Sequence, residues 1–143
     1  MTDSFDAEFH SSANRPTTLV RAHDTRLSTC NVLSHAVSNA IDAVAALDRQ
    51  NLRPVPAIPS HPAPYLLTGL SVFLSHEPCL LCSMSLLHSR VASVYYVKST
   101  AGAGGLGSVH SVHEEEGLNH RFEVWQWRGG PDIGEGLDIQ LDP

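Results

Sequence analysis

The chain has 143 residues, of which 42% are hydrophobic, and it carries a formal net charge of −6 at pH 7. This composition supports one domain with a buried core and excludes a wholly disordered chain. The acidic balance argues against a nucleic-acid binder that acts alone, because contacts to phosphates require clustered cations. The cysteine count of three is odd, and the sequence shows no signal peptide and no long apolar segment. We therefore expect an intracellular protein in a reducing compartment, away from membranes.

The N-terminal part of the chain predicts a β-hairpin. Residues 5–9 alternate between apolar and acidic side chains, and residues 17–22 are rich in β-branched side chains, with a turn signal between them. This pattern is typical of two paired strands, which we place at the edge of a sheet. Residues 23–34 are polar and predict a connection, with Ser34 as the N-cap of the helix that follows.

A helix is predicted from His35 onward, because apolar residues recur at the spacing that places them on one face. This face carries Val37, Ala40, Ile41, Val44, Ala45 and Leu47, and the solvent face carries Asn39, Asp42 and Asp48. Residues 50–64 then contain five prolines. That density excludes a helix or a central strand, so we predict a proline-rich loop.

The second half of the chain predicts a β-α-β unit followed by one more strand. Residues 70–75 form a mostly apolar run, and Pro78 stands at the predicted first position of a helix. Residues 91–97 are the next predicted strand, and the short links indicate a right-handed crossover between parallel strands. Residues 99–119 are rich in glycine and then acidic, which predicts a flexible connection, and residues 122–127 alternate as a last strand.

These elements predict one domain over residues 1–128, with the proline-rich loop 50–64 inside it. Residues 129–143 begin with two glycines and a proline and continue with several acidic residues. We predict that this segment is a flexible acidic tail.

The most informative motif is Pro-Cys-x-x-Cys at residues 78–82. Two cysteines three apart at a helix start place both sulfurs on one side, where free N–H groups and the helix dipole favour thiolates. His35 begins the preceding helix, and this arrangement matches the zinc-deaminase pattern, His-x-Glu followed by Pro-Cys-x-x-Cys. We therefore predict one zinc ion bound by His35, Cys79 and Cys82, with a water molecule or an acidic side chain of the tail as fourth ligand. The remaining cysteine, Cys30, is predicted to be a small buried thiol.

Val37 occupies the general acid/base position of that pattern, where deaminases carry a glutamate. An isopropyl group carries no proton, and the loss of a positioned acid or base costs about 10²–10⁴ in rate. Glu77 is expected to hold loop N–H groups, and Glu114, Glu115 and Glu116 to form a solvated face. We therefore predict no catalytic residue and a structural zinc whose binding is coupled to folding.

Several further short motifs accompany the cysteine pair. They are Arg21-Ala22-His23-Asp24-Thr25-Arg26; His35-Ala36-Val37 with Ala40-Ile41-Asp42; Tyr65-Leu66-Leu67-Thr68-Gly69; Glu77-Pro78-Cys79 with Leu87-His88-Ser89-Arg90; and Gly105-Leu106-Gly107 with Leu118-Asn119-His120-Arg121-Phe122. Over roughly residues 21–127 the chain resembles the non-catalytic subunits of the eukaryotic tRNA wobble adenosine deaminase.

The resemblance implies a cytidine deaminase-like α/β fold, a three-layer α/β/α sandwich with a mixed sheet of about five strands. It also implies a heterodimer with a catalytic deaminase paralogue that keeps His-Ala-Glu and converts adenosine to inosine at the tRNA wobble position, in the cytoplasm and nucleus. Contact with tRNA would occur through the complex. Such subunits usually carry a further N-terminal region that contributes to RNA binding, so we expect the present chain to be a trimmed domain.

Five residues in these motifs are candidates for contact with the partner or with RNA, although packing around helix ends explains them as well. They are His88, Arg90, Asn119, His120 and Arg121. Two other functions stay open at this point. One is an active zinc-dependent nucleoside or nucleotide deaminase with a displaced proton carrier, and the other is a zinc-stabilised adaptor for RNA or protein.

Overall fold

The computed structural model describes residues 5–9, 17–53 and 65–128, with the backbone alone for residues 5–9 and Thr17. Its strands are β1 (Phe5–Phe9), β2 (Thr17–Ala22), β3 (Ser71–His76), β4 (Ser93–Lys98) and β5 (Glu123–Gln126). Its helices are α1 (Arg26–Thr29), α2 (Ala36–Arg49) and α3 (Leu80–His88), with a 3₁₀ turn at Val112–Glu114. The predicted tail, residues 129–143, and most of the proline-rich loop, residues 54–64, lie outside the described residues.

The five strands form one mixed sheet in the order β2-β1-β3-β4-β5. β1 runs antiparallel to β2 and to β3, whereas β3, β4 and β5 are parallel. The hairpin at the edge, the parallel crossover through α3 and the mixed five-stranded sheet are therefore confirmed. Because parallel strands end at the same edge of a sheet, the segments that follow β3 and β4 meet there.

One face of the sheet carries the core. Val72 and Leu74 of β3 lie beside Val94 and Tyr96 of β4, and all four side chains are buried in one cluster with residues of α2 and α3. Side chains alternate between the two faces of a strand, so both long helices cover this face. The buried residues of α2 are Val37, Ala40 and Val44, and those of α3 are Cys82, Ser83, Leu86 and Leu87.

The opposite face carries a row of aromatic side chains. Phe73 and Tyr95 stack with ring centroids 4.8 Å apart. Trp125 pairs with Tyr95 in the sheet register, so it continues the row, and its side chain is exposed. The described residues thus supply the sheet and one helical layer of the predicted sandwich. No helix in this part of the chain is long and apolar enough to cross a membrane.

Both long helices begin later than the sequence predicted. His35, not Ser34, is the N-cap of α2, because the carbonyl of His35 accepts the N–H of Asn39 at 2.9 Å while the carbonyl of Ser34 accepts the N–H of Thr25 at 3.0 Å. Cys79 is the N-cap of α3, so the prediction that Pro78 is the first helical residue was wrong. Each helix therefore has a predicted ligand at its cap position.

Candidate metal centre

His35, Cys79 and Cys82 come together where the N-terminal ends of α2 and α3 meet. Their ligand atoms all lie within 4.8 Å of one another, and Sγ of Cys79 is 3.9 Å from Nδ1 of His35. Zinc bonds of about 2.3 Å to sulfur and 2.1 Å to nitrogen, at a tetrahedral angle, would place these two atoms about 3.6 Å apart. The donor types and their spacing therefore fit one zinc ion.

The helix caps explain why these side chains face each other. His35 and Cys79 both have extended backbone conformations, with φ and ψ of −66° and 154° for the histidine and −65° and 169° for the cysteine. A cap residue lies outside the helical ladder, so its side chain is free to extend beyond the helix end. Cys82 follows three residues after its cap and adds a second sulfur from the first turn of α3. The positive ends of two helix dipoles thus meet at the sulfurs.

The two thiols share a hydrogen bond that moves their pKa values in opposite directions. A hydrogen bond from the Cys82 side chain lowers the pKa of Cys79 to about 5, with further help from the backbone N–H groups of Cys82 and Leu81 and from His35. The same hydrogen bond, together with burial, raises the pKa of Cys82. One thiolate therefore forms readily, whereas the second requires a cation nearby. A divalent metal ion supplies that charge.

Val37 lies two residues after His35, on the first turn of α2, and its side chain is 4% exposed. It packs in the buried core cluster. Among the described residues, the group of side chains that can share a metal ion contains no carboxylate. The place of the proton carrier is thus filled by an apolar side chain, as the sequence predicted.

Asp24 is an acidic residue near the metal centre that was not predicted as a site residue from the sequence. Its charge contributes to the raised pKa of Cys82. The Asp24 carboxylate is occupied by Arg26, whose Nε lies 2.9 and 3.1 Å from its two oxygens and whose backbone N–H donates to it at 3.0 Å. The motif at residues 21–26 was the available signal, but the spacing does not show that the aspartate is held by this arginine.

Asn39 organises the segment that leads to His35. Its side-chain amide donates to the carbonyl oxygens of His23 at 2.8 Å and Ser34 at 3.3 Å, and to Oγ1 of Thr25 at 2.9 Å. These bonds fix the segment across the first turn of α2. The helical pattern had placed Asn39 on the solvent face, because periodicity does not distinguish a solvated amide from one that binds a loop.

Glu77 holds the segment after β4 against the start of α3, which confirms its predicted structural role. Its carboxylate accepts the N–H groups of Thr100 at 3.1 Å and of Leu106 and Ser108 at 3.0 Å, and also the hydroxyl of Ser108. Burial alone would raise the pKa of Glu77, but these hydrogen bonds outweigh it, so the pKa lies below its usual value. Both carboxylate oxygens are engaged, so Glu77 is not the missing proton carrier.

The glycine-rich segment after β4 is therefore not the flexible connection that was predicted. Gly104 pairs with Cys79 in an isolated β-bridge, and the N–H of Gly105 donates to the carbonyl of Pro78 at 2.8 Å. A Cβ atom at Gly104 would collide with the Glu77 carboxylate. These glycines allow the segment to pack closely beneath the metal centre.

The remaining predicted residues lie elsewhere. His88, Arg90 and Asn119 line one cavity of about 340 Å³ near the C-terminal end of α3. Arg121 lines a second hollow. Nε2 of His120 donates to the carbonyl of Val91 at 2.8 Å, which gives His120 a structural role.

The acidic run is exposed, as predicted, at Glu114, Glu115 and Glu116. Cys30 is an exposed free cysteine, so the prediction of a buried thiol was wrong. It has a left-handed backbone conformation, with φ of 51°, in a turn outside the core.

Comparison with known proteins supports this description. Residues 13–98 match the family model of the cytidine and deoxycytidylate deaminase zinc-binding region. The chain is 35% identical over 128 residues to the tRNA-specific adenosine deaminase subunit tad3 of Schizosaccharomyces pombe, which covers 86% of this chain and 39% of that protein. It is 32% identical over 120 residues to the human probable inactive tRNA-specific adenosine deaminase-like protein 3, covering 67% of this chain and 34% of that protein.

A solved structure shares the fold. A chain from a structural study of A-to-I editing by tRNA:A34 deaminases at the wobble position superposes with a TM-score of 0.65 at 14% identity, over 87% of this chain and 81% of that one. The predicted cytidine deaminase-like fold is thereby confirmed. The chain spans two fifths or less of the length of these two curated relatives. The family model matches more than half of the chain, and His35, Cys79 and Cys82 lie in one group. The chain therefore belongs to the cytidine and deoxycytidylate deaminase zinc-binding family.

Proposed function

We propose that this chain is a catalytically silent deaminase domain that serves as the non-catalytic half of a tRNA wobble adenosine deaminase. Its catalytic partner, a paralogue with an intact His-Ala-Glu motif, performs the conversion of adenosine to inosine. The names of the two curated relatives, one a deaminase subunit and one a probable inactive deaminase, support this assignment. The complex would act in the cytoplasm and nucleus.

The observation that carries the proposal is the identity and burial of Val37. A deaminase of this family needs a group that takes a proton from water and delivers protons to the base and its leaving amine. Val37 has no such group, and the two nearby carboxylates, Asp24 and Glu77, are both engaged by hydrogen bonds. A displaced proton carrier is therefore disfavoured among the described residues.

The metal that fits the site would have a structural role. His35, Cys79 and Cys82 would hold it, and its charge would allow both sulfurs to be thiolates at once. Because the histidine caps α2 and the cysteines open α3, one ion ties the two helix starts together. Metal binding of this kind stabilises a domain by several kcal/mol.

Exposed apolar side chains flank the metal centre and support a protein partner on this side. Leu80 and Leu81 follow Cys79 on the first turn of α3, and both are partly exposed. Leu27, Val32 and Leu33 in the segment before His35 are exposed to an even greater extent. Apolar side chains collected around one site favour an interface with another protein.

Reconstitution tests the proposal. The chain, the candidate catalytic paralogue and the co-expressed pair are each assayed for inosine formation on a tRNA that carries a wobble adenosine. We expect activity from the pair, little or none from the paralogue alone, and none from the chain alone.

Leu81→Glu should reduce co-purification of the pair, whereas Val109→Glu, at an equally exposed apolar residue in the segment after β4, should not. Full activity of the paralogue without this chain would refute the proposal.

A further inference from the structure

The C-terminal end of α3 carries an arginine where the backbone favours glycine. Ser89 caps the helix, the N–H of Arg90 donates to the carbonyl of Leu87 at 3.0 Å, and the N–H of Val91 donates to the carbonyl of Leu86 at 3.3 Å. This is the Schellman arrangement, in which the residue after the cap adopts the left-handed conformation and is usually glycine. Arg90 has φ of 60°. The fold alone therefore gives no reason for an arginine here.

The side chain of Arg90 lines the cavity of about 340 Å³ together with Tyr65, Leu87, His88 and Asn119. Two connections bring these residues to one place. The N–H of Leu67 donates to the carbonyl of Ser89 at 2.9 Å, which docks the turn that begins at Tyr65 against the helix end. The bond from His120 to Val91 does the same for the segment that contains Asn119.

The polar side chains of this cavity have no partners among the described residues. Within residues 17–53 and 65–128, the side chains of Tyr65, His88, Arg90 and Asn119 make no hydrogen bond or ion pair. The arginine and the asparagine bring N–H donors, the tyrosine brings a hydroxyl, and the histidine ring can donate as well. None of the described residues that line the cavity is acidic. It thus offers a cation and several donors without a matching acceptor.

We propose that this cavity binds the phosphoryl group of a nucleotide, with Arg90 as the principal anion contact. A carboxylate has two oxygens, which one guanidinium can pair, whereas a phosphoryl group presents more oxygens and uses the additional donors. Tyr65 is 57% exposed at this cavity, so its ring is available to stack with the attached base. The second hollow has both Arg121 and Glu123 in its lining, so a negative charge accompanies the positive one and makes it the poorer anion site.

This site is separate from the metal centre and does not depend on it. The nine residues of α3 extend over about 13 Å, so the two sites lie at opposite ends of one helix. The phosphoryl group could belong to a free nucleotide or to the backbone of single-stranded RNA, and both present the same oxygens to Arg90. Binding would be weakened by salt in either case, because it depends on an exposed charge.

Titration of the isotopically labelled chain with AMP, adenosine and a short oligoadenylate tests the proposal at low salt. Nuclear magnetic resonance would follow the Nε–H of Arg90 and the ring of Tyr65. We expect AMP to shift both signals and adenosine to shift neither. Arg90→Gln and Arg90→Gly should each weaken AMP binding about tenfold or more, and the glycine variant suits the left-handed backbone, so its fold is retained. Arg49→Gln, at an exposed arginine on α2, is the matched control and should bind as the unmodified chain does.

The two sources of phosphate give different results. Tighter binding of oligoadenylate than of AMP would assign the site to RNA, and binding of AMP alone would assign it to a free nucleotide. Equal weakening by Arg49→Gln and Arg90→Gln would overturn the proposal, since the effect would then reflect overall charge. Arg90-dependent binding of a glutamate-rich peptide, without binding of AMP or oligoadenylate, would also overturn it and identify an acidic protein partner. These outcomes involve no deamination, so they are distinguishable from failure of the proposed function.

Discussion

At its N-terminal end α3 presents Cys79 and Cys82 toward His35, whereas at its C-terminal end it places Arg90 and His88 around a cavity. The three side chains of the first group lie within 4.8 Å of one another and require a cation if both thiols are to be thiolates. The second group contains a cation and several donors, which an anion would complement. The helix dipole stabilises the thiolates at its N-terminal end and the guanidinium of Arg90 at its C-terminal end, so Arg90 and its neighbouring donors must outweigh the dipole when an anion binds there. One short helix therefore positions two sites, of which one requires a cation and the other an anion.

Loss of a metal ligand at the N-terminal end of α3 should change zinc binding and stability more than any other substitution. Cys79→Ser should lower the zinc content from about one ion per chain to nearly none and reduce the free energy of unfolding by several kcal/mol, because the ion ties α2 to α3. Native mass spectrometry and urea unfolding measure the two quantities. Cys30→Ser is the matched control, since Cys30 is exposed and lies outside the metal group. Retention of zinc by Cys79→Ser would show that the ligand set is wrong.

A smaller loss of stability is expected when Glu77, which holds the segment after β4 against the N-terminal end of α3, is changed. Glu77→Gln should reduce the free energy of unfolding by about 2–3 kcal/mol, because an amide cannot accept all the N–H groups that the buried carboxylate accepts. Amide exchange at Thr100 and Leu106 should become faster, since both donate to Glu77. Glu116→Gln, at an exposed glutamate, should change neither quantity. Equal stability of the two variants would contradict the role given to Glu77.

The smallest effect, and one of opposite sign, is expected at the C-terminal end. Arg90→Gly should raise the free energy of unfolding by about 1 kcal/mol, because glycine adopts the left-handed conformation without the steric cost that an L side chain incurs. Thermal unfolding of the metal-loaded chain measures this gain. A loss of stability instead would mean that the Arg90 side chain contributes to the fold, and the contrast between the two helix ends would be lost.

The sequence was sufficient for the sheet, for the two long helices and for the group of His35, Cys79 and Cys82. These features depend on side-chain periodicity and on a motif whose spacing has a direct geometric meaning. It was not sufficient for the segment after β4, because nothing in its glycines indicates that a buried carboxylate 23 to 31 residues earlier holds their neighbours. Asn39 was missed for the same reason, since the fold brings its partners His23 and Thr25 to it. The partner of Asp24 is local, but its proximity to Cys82 arises only from the fold.

The sequence motifs identified the residues at the C-terminal end of α3, but they did not predict that these residues line one cavity. The motifs named His88, Arg90 and Asn119 without distinguishing packing from contact with RNA or a partner. The left-handed backbone of Arg90 and the cavity become visible only in three dimensions. His120 belonged to the same motif and turned out to bind the backbone of Val91.

The claim that Val37 leaves this domain catalytically silent is tested most directly by an assay of the zinc-loaded chain alone. The chain is incubated in excess with a tRNA that carries a wobble adenosine, with adenosine and with cytidine, and the products are separated by liquid chromatography and mass spectrometry. We expect no inosine or uridine above the level without protein. Deaminated product that requires zinc and disappears in Cys79→Ser would contradict the claim and reveal a proton carrier other than the residue at position 37.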